Sequence, residues 1–118
     1  MNLKIDSSTS GSVATLLLMG SVASSLEAVE LRERISTAVS DGTSWVVLDC
    51  TGLTFMNSTG LGIVVASLTS LKNRGGGLCL AQVNGNVAET LKASLLNRVI
   101  PLYDTAEEAV AACVEQKL

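Results

Sequence analysis

The stretch Val46-Val47-Leu48-Asp49-Cys50-Thr51-Gly52-Leu53-Thr54-Phe55-Met56-Asn57-Ser58-Thr59-Gly60-Leu61-Gly62 runs from an apolar strand through a short loop into a helix start. The near-continuous apolar run over residues 45–50 has strand length, and such runs suit strands covered on both faces in a parallel sheet. From Thr59 onward, Leu61, Val64, Val65, Leu68 and Leu71 recur at helical spacing. That helix ends in Lys72-Asn73-Arg74-Gly75-Gly76-Gly77, which places cations near its negative end and glycines in the turn that follows. The corner between strand and helix carries two adjacent hydroxyls, Ser58 and Thr59.

Upstream, residues 3–6 and 13–19 read as strands of a hairpin, separated by the turn formers Ser7-Ser8-Thr9-Ser10-Gly11-Ser12. After Gly20, Leu31, Ile35, Ala38 and Val39 mark the inner face of an amphipathic helix that stops at Asp41-Gly42. Downstream, residues 78–83 form the next buried strand, Asn84-Gly85-Asn86 a loop, and Val87, Leu91 and Leu95 the inner face of a third helix. Val99-Ile100 is expected as a short edge strand. Pro101 and Asp104-Thr105 lead into a terminal helix with Ala106, Ala109, Val110, Cys113 and Val114 on one face. Repeated strand-helix alternation makes an α/β domain.

Composition narrows the function. A chain of 118 residues, 47% hydrophobic with one proline, fits a single domain spanning 1–118 rather than a disordered segment. A net charge of −3, with acids and bases interspersed, offers no basic surface for nucleic acid. Trp45, Phe55 and Tyr103 are the only aromatic residues, too few for a base-stacking platform. No apolar run approaches the roughly 20 residues that span a bilayer, and the first residues lack a signal-peptide profile. No membrane insertion and a cytoplasmic location are therefore expected.

Histidine is absent, which removes a Ser-His-Asp triad and His-ligated metal sites. Cys50, Cys79 and Cys113 show no CxxC spacing and read as small buried thiols. The acids Glu27, Glu30, Glu33, Glu107 and Glu108 fall at helical positions where solvated faces account for them. Gly75, Gly76 and Gly77 follow a helix rather than a strand, so they do not form a phosphate loop. Gly60-Leu61-Gly62 has the right context but no Lys-Ser/Thr sequel. No catalytic residue, metal ligand or cofactor is expected, and the chain reads as a substrate rather than an enzyme.

The hydroxyl corner has two readings. Asn, Ser and Thr are preferred N-caps whose side chains satisfy free backbone donors. The same helix end favours an anion by about 0.3–1 kcal/mol, which would suit a phosphate on Ser58. Asn57-Ser58-Thr59 also spells a glycosylation acceptor, but nothing in the first residues supports a secretory route.

These landmarks resemble the STAS domain of bacterial anti-sigma factor antagonists. Its hallmark is an apolar strand ending in Asp, a short loop, then Asp-Ser-Ser/Thr-Gly-Leu at a helix start. Asp49 and Asn57-Ser58-Thr59-Gly60-Leu61 stand at those places. Leu16-Leu17-Leu18-Met19-Gly20 is similar to the early strand and glycine. Arg74-Gly75-Gly76-Gly77-Leu78 is similar to the later turn, and Val99-Ile100-Pro101-Leu102-Tyr103-Asp104 to the tail. The resemblance implies a single STAS-like domain with a mixed sheet of about four to five strands and about four helices.

It further implies binding to an anti-sigma factor with serine-kinase activity, which phosphorylates Ser58 and ends the contact, and a serine phosphatase that resets it. Partner contact would involve Asn57, Ser58, Thr59, Gly60 and Leu61. Asn57 departs from the usual aspartate; at about 5 Å an aspartate would repel a phosphoserine by roughly 1–3 kcal/mol. Gly20-Ser21-Val22-Ala23 lacks the acid often found at its fourth place. Asp49 reads as a hydrogen-bond acceptor for the loop after its strand rather than a contact residue. The alternatives are a constitutive structural subunit of a stress-sensing or lipid-transport complex, or a small-ligand or nucleotide binder near Gly60 to Gly62.

Overall fold

The computed structural model describes residues 2–116. Five strands lie in one sheet in the order β1 (Leu3–Ser10), β2 (Val13–Val22), β3 (Trp45–Met56), β4 (Gly77–Ala81) and β5 (Leu102–Tyr103). β1 and β2 are antiparallel, and the remaining neighbours are parallel. Four α-helices, α1 (Ser25–Ser40), α2 (Ser58–Asn73), α3 (Gly85–Ala93) and α4 (Ala106–Val114), alternate with the strands. The fold is the expected α/β domain with a mixed sheet.

Strand periodicity sorts the core into two layers. Val46, Leu48 and Cys50 of β3, with Leu78 and Leu80 of β4, face α1, α2 and α3. Trp45 and Val47, with Cys79 and Ala81, face α4 alone through Ala109 and Cys113. All three cysteines are buried, free thiols. Burial pushes the Cys50 thiol up to about 12, with the neighbouring Asp49 carboxylate adding to the shift. Cys79 and Cys113 share a side-chain hydrogen bond, which raises the Cys79 pKa and lowers that of Cys113.

Several boundaries differ from the sequence reading. Ser7 to Ser10 are not turn but strand: Ser10 pairs with Val13, leaving Gly11-Ser12 as a two-residue hairpin loop. These residues lie at a sheet edge and are exposed, so hydroxyl side chains are compatible with the ladder. β3 continues to Met56 instead of yielding to a loop after Cys50. Its pairing with β2 shifts register twice, so Leu53 and Met56, three residues apart, are both buried. Those irregularities conceal the period-two pattern of a strand.

The later elements are also displaced. β4 stops at Ala81, before Val83, because Gln82 turns to a φ of 55°. α3 already begins at Gly85 and stops before Leu95, whose φ of 62° ends the helical path and leaves its side chain 54% exposed. A 3₁₀ turn (Leu96–Arg98) then draws the Val99 and Ile100 N–H groups onto the Leu96 carbonyl. The expected edge strand therefore forms three residues later, at Leu102–Tyr103, while Ile100 enters the core. On α4, Val114 points to solvent rather than inward.

Candidate functional site

The carboxyl-end corner of β2 and β3 carries the N-termini of both α1 and α2. The last paired residues, Val22 and Met56, stand opposite each other. The Asn57 N–H donates to the Val22 carbonyl at 2.8 Å, fixing where α2 leaves the sheet. Asn57 then caps α2: its Oδ1 accepts from the Gly60 N–H at 2.8 Å, and its carbonyl accepts from the Leu61 N–H. The capping role thus falls to Asn57 rather than to either hydroxyl.

Ser58 and Thr59 occupy the first helical turn and are exposed. Neither hydroxyl has a hydrogen-bond partner among the described residues, and the first turn of α2 contains no acid. Phe55, three residues before Ser58, is 41% exposed, and Leu26 in the first turn of α1 is more exposed still. Gly60 faces inward. A Cβ there would lie 2.8 Å from Met56 Cγ and 2.9 Å from Val22 Cγ1, so this glycine lets the helix approach the strand ends. Leu61, which the sequence places both on the apolar face of the helix and among the contact residues, is only 5% exposed and packs in the core, contributing about 1.5–3 kcal/mol. The motif therefore presents Ser58, Thr59 and a half-buried Asn57 outward, while Gly60 and Leu61 hold them from beneath.

Asp49 serves its own backbone, with Oδ1 accepting from the Thr51 N–H at 3.1 Å and from the Thr51 hydroxyl. It sits where β3 loses its β4 neighbour.

The solvated helix face expected for Glu30 and Glu27 is not what the structure shows: Glu30 is half-buried, and Glu27 is only 5% exposed. Its Oε1 accepts from the Ala23 and Ser24 N–H groups at 2.9 and 3.2 Å, and Oε2 accepts from the Asn2 N–H at 3.0 Å. Ser24 Oγ accepts from the Glu27 N–H in return, completing a capping box. The Ser-x-x-Glu spacing of Ser24 and Glu27 carried that signal. One carboxylate thereby ties the start of β1, the exit of β2 and the start of α1 together.

The Ala23 N–H bond lowers the Glu27 pKa from 4.5; desolvation opposes it, and the Asn2 and Ser24 bonds reinforce it. A carboxyl depressed by folding stabilises the native state above its unfolded pKa, and that contribution disappears as pH falls through the lower folded value. Glu27→Gln is expected to lower the urea midpoint at neutral pH, because its amide N–H₂ cannot accept from backbone donors. The deficit relative to wild type should shrink below about pH 4.5. A deficit independent of pH would show that the carboxylate charge is immaterial.

Comparison with known proteins places this geometry. The chain belongs to the STAS-domain family, whose family model matches residues 5–109. Among curated proteins, it is similar to an anti-sigma F factor antagonist of Paenibacillus polymyxa, 32% identical over 65 residues. That alignment covers 55% of this chain, and the chain spans about half the length of the curated relative it matches, 56%. Among solved structures, an anti-sigma factor antagonist from Mycobacterium paratuberculosis superposes with a TM-score of 0.81 at 22% identity, covering 94% of this chain and 93% of that one. The Bacillus cell fate determinant SpoIIAA in its phosphorylated form gives 0.70 at 21% identity, covering 92% and 96%. These likenesses establish the shared fold. No helix among the described residues is long and apolar enough to cross a membrane.

Proposed function

We propose that this chain is an anti-sigma factor antagonist that binds an anti-sigma factor with serine-kinase activity through the corner around Ser58. Transfer of a phosphoryl group from ATP to Ser58 Oγ ends that contact, and a serine phosphatase restores it. The observation that carries the reading is the division of labour at the α2 terminus. Asn57 satisfies the cap, leaving the exposed Ser58 hydroxyl uncommitted beside it. Modification therefore removes no hydrogen bond between Ser58 and the described residues.

The physical balance supports a switch in binding rather than in folding. Phosphorylation adds about −1.5 to −2 charges and three acceptor oxygens. At a helix N-terminus that charge is favoured by about 0.3–1 kcal/mol, with no first-turn acid in α2 to oppose it. At a close-packed interface, the same charge facing an acidic or desolvated surface costs several kcal/mol. Asn57, Ser58 and Thr59 form the contact surface in this reading, with Gly60 and Leu61 setting its shape.

The test is intact mass with peptide mapping of protein purified from its own cells, with and without phosphatase treatment. A phosphatase-sensitive phosphate on Ser58 is expected, and Ser58→Ala should lose it while keeping partner binding. Unmodified Ser58 in both growing and stressed cells, with the native kinase active and the phosphatase suppressed, would overturn the switch.

A further inference from the structure

The groove between α1 and α2, away from the Ser58 corner, has an internal volume of about 360 Å³. That size falls in the range of small-molecule sites, roughly 300–1,000 Å³. Its floor is aliphatic. Ile35 and Leu71 belong to the buried core, and Val39 and Ile63 pack against it while remaining partly open. Four serines line the groove, and Arg32 and Arg74 complete it.

The charge of this groove departs from that of the chain. The protein carries a net charge of −3, yet no acidic residue lines the cleft and two guanidinium groups do. Neither the Arg32 nor the Arg74 guanidinium has a hydrogen bond or ion pair among the described residues. Arg34, by contrast, is committed to the Ile5 carbonyl at 2.8 Å and to Ser7 Oγ. Along α1, the lining runs from Arg32 to Ser40, roughly 12 Å at about 1.5 Å per residue. Arg74 is the residue that ends α2, so a cation lies within reach of the groove's far end.

The geometry points to a binding site for a medium-chain aliphatic carboxylate in the α1–α2 groove, its tail on Ile35, Val39, Ile63 and Leu71 and its head on Arg32 or Arg74. A guanidinium presents a planar fork of donors that matches a carboxylate, and the serine hydroxyls supply further donors around it. The lining contains no aromatic ring, so it offers a nucleobase nothing to stack on. An aliphatic tail needs no such partner, because branched side chains bury it by contact alone.

The experiment titrates sodium decanoate, kept below its micelle-forming concentration, into the full chain carrying labelled Ile, Leu and Val methyl groups. Saturable shifts at Ile35, Val39, Ile63 and Leu71 are expected, with the methyls of Val13 and Val47 under α4 unmoved. Decanol, which keeps the tail and lacks the charge, should bind at least about tenfold more weakly. The double variant Arg32→Gln/Arg74→Gln should lose a similar factor for decanoate while unfolding at the wild-type urea midpoint. Equal affinity for decanol, or an unaltered affinity in the folded double variant, would overturn the carboxylate site. So would an absence of saturation, or shifts that follow protein concentration without ligand and thereby assign the groove to a second copy of the chain.

Discussion

Ser58→Asp is expected to fold with a circular-dichroism spectrum and urea midpoint close to wild type, yet to bind the kinase anti-sigma factor proposed as its partner about a hundredfold more weakly. A hundredfold loss corresponds to about 2.7 kcal/mol, within the several kcal/mol attached to a misplaced charge at an interface. The folding half follows from position. Ser58 is exposed at the start of α2, its hydroxyl bonds to no described residue, and an added carboxylate meets the favourable end of the helix dipole. The binding half rests on the proposed contact surface. Titration of wild type and variant against the same partner by calorimetry measures it. An unfolded variant would place Ser58 in the structural framework, and an unchanged affinity would remove it from the interface.

Gly76→Ala is expected to cost about 3 kcal/mol or more, which would unfold a large share of a marginally stable domain. A Cβ on this residue would fall 1.7 Å from the Ser44 carbonyl oxygen and 2.7 Å from its carbon. Both are backbone atoms, so no side-chain rotation relieves the overlap. The same carbonyl accepts from the Gly77 N–H at 3.1 Å, where Trp45 and Gly77 open the parallel register of β3 and β4. Displacing it would disturb the first rungs of the central ladder. Urea denaturation checks the magnitude, and a loss below about 1 kcal/mol would mean that the Ser44 segment yields easily.

Elements ruled by one periodicity were legible. In α2, of the positions read at helical spacing, Leu61, Val64, Leu68 and Leu71 are buried and Val65 is half-buried, because a regular helix repeats its face without interruption. The continuous run of β3 announced a strand covered on both sides, and α4 supplies the second cover. Legibility failed where geometry changed within an element. The shifted register of β3 brought Leu53 and Met56 to the same side and made a strand look like a loop. The left-handed Leu95 ended a helix that the apolar spacing would have continued.

The candidate corner was legible in composition but not in orientation. Residues 57–61 were picked out from the sequence, whereas the choice of core over contact surface for Leu61, and of Asn57 over the hydroxyls as cap, depends on how α2 meets Val22 and Met56. Glu27 was hidden for a different reason. Its partners are backbone donors at Asn2, Ala23 and Ser24, and a list of side-chain types does not display backbone donors. Its spacing from Ser24 was the available clue.

The strands stand in space in the same succession in which they occur along the chain. No strand has to wait for a later one to be inserted between it and its neighbour. On the ribosome, each new β-α unit can therefore add to a completed edge, with short sequence separations holding down the entropy of loop closure. The surface that displays Ser58 draws on β2, β3, α1 and α2, all complete by Asn73. Synthesis can thus set the corner that carries Ser58 before α4 exists, and α4, emerging later, seals the opposite side of the sheet.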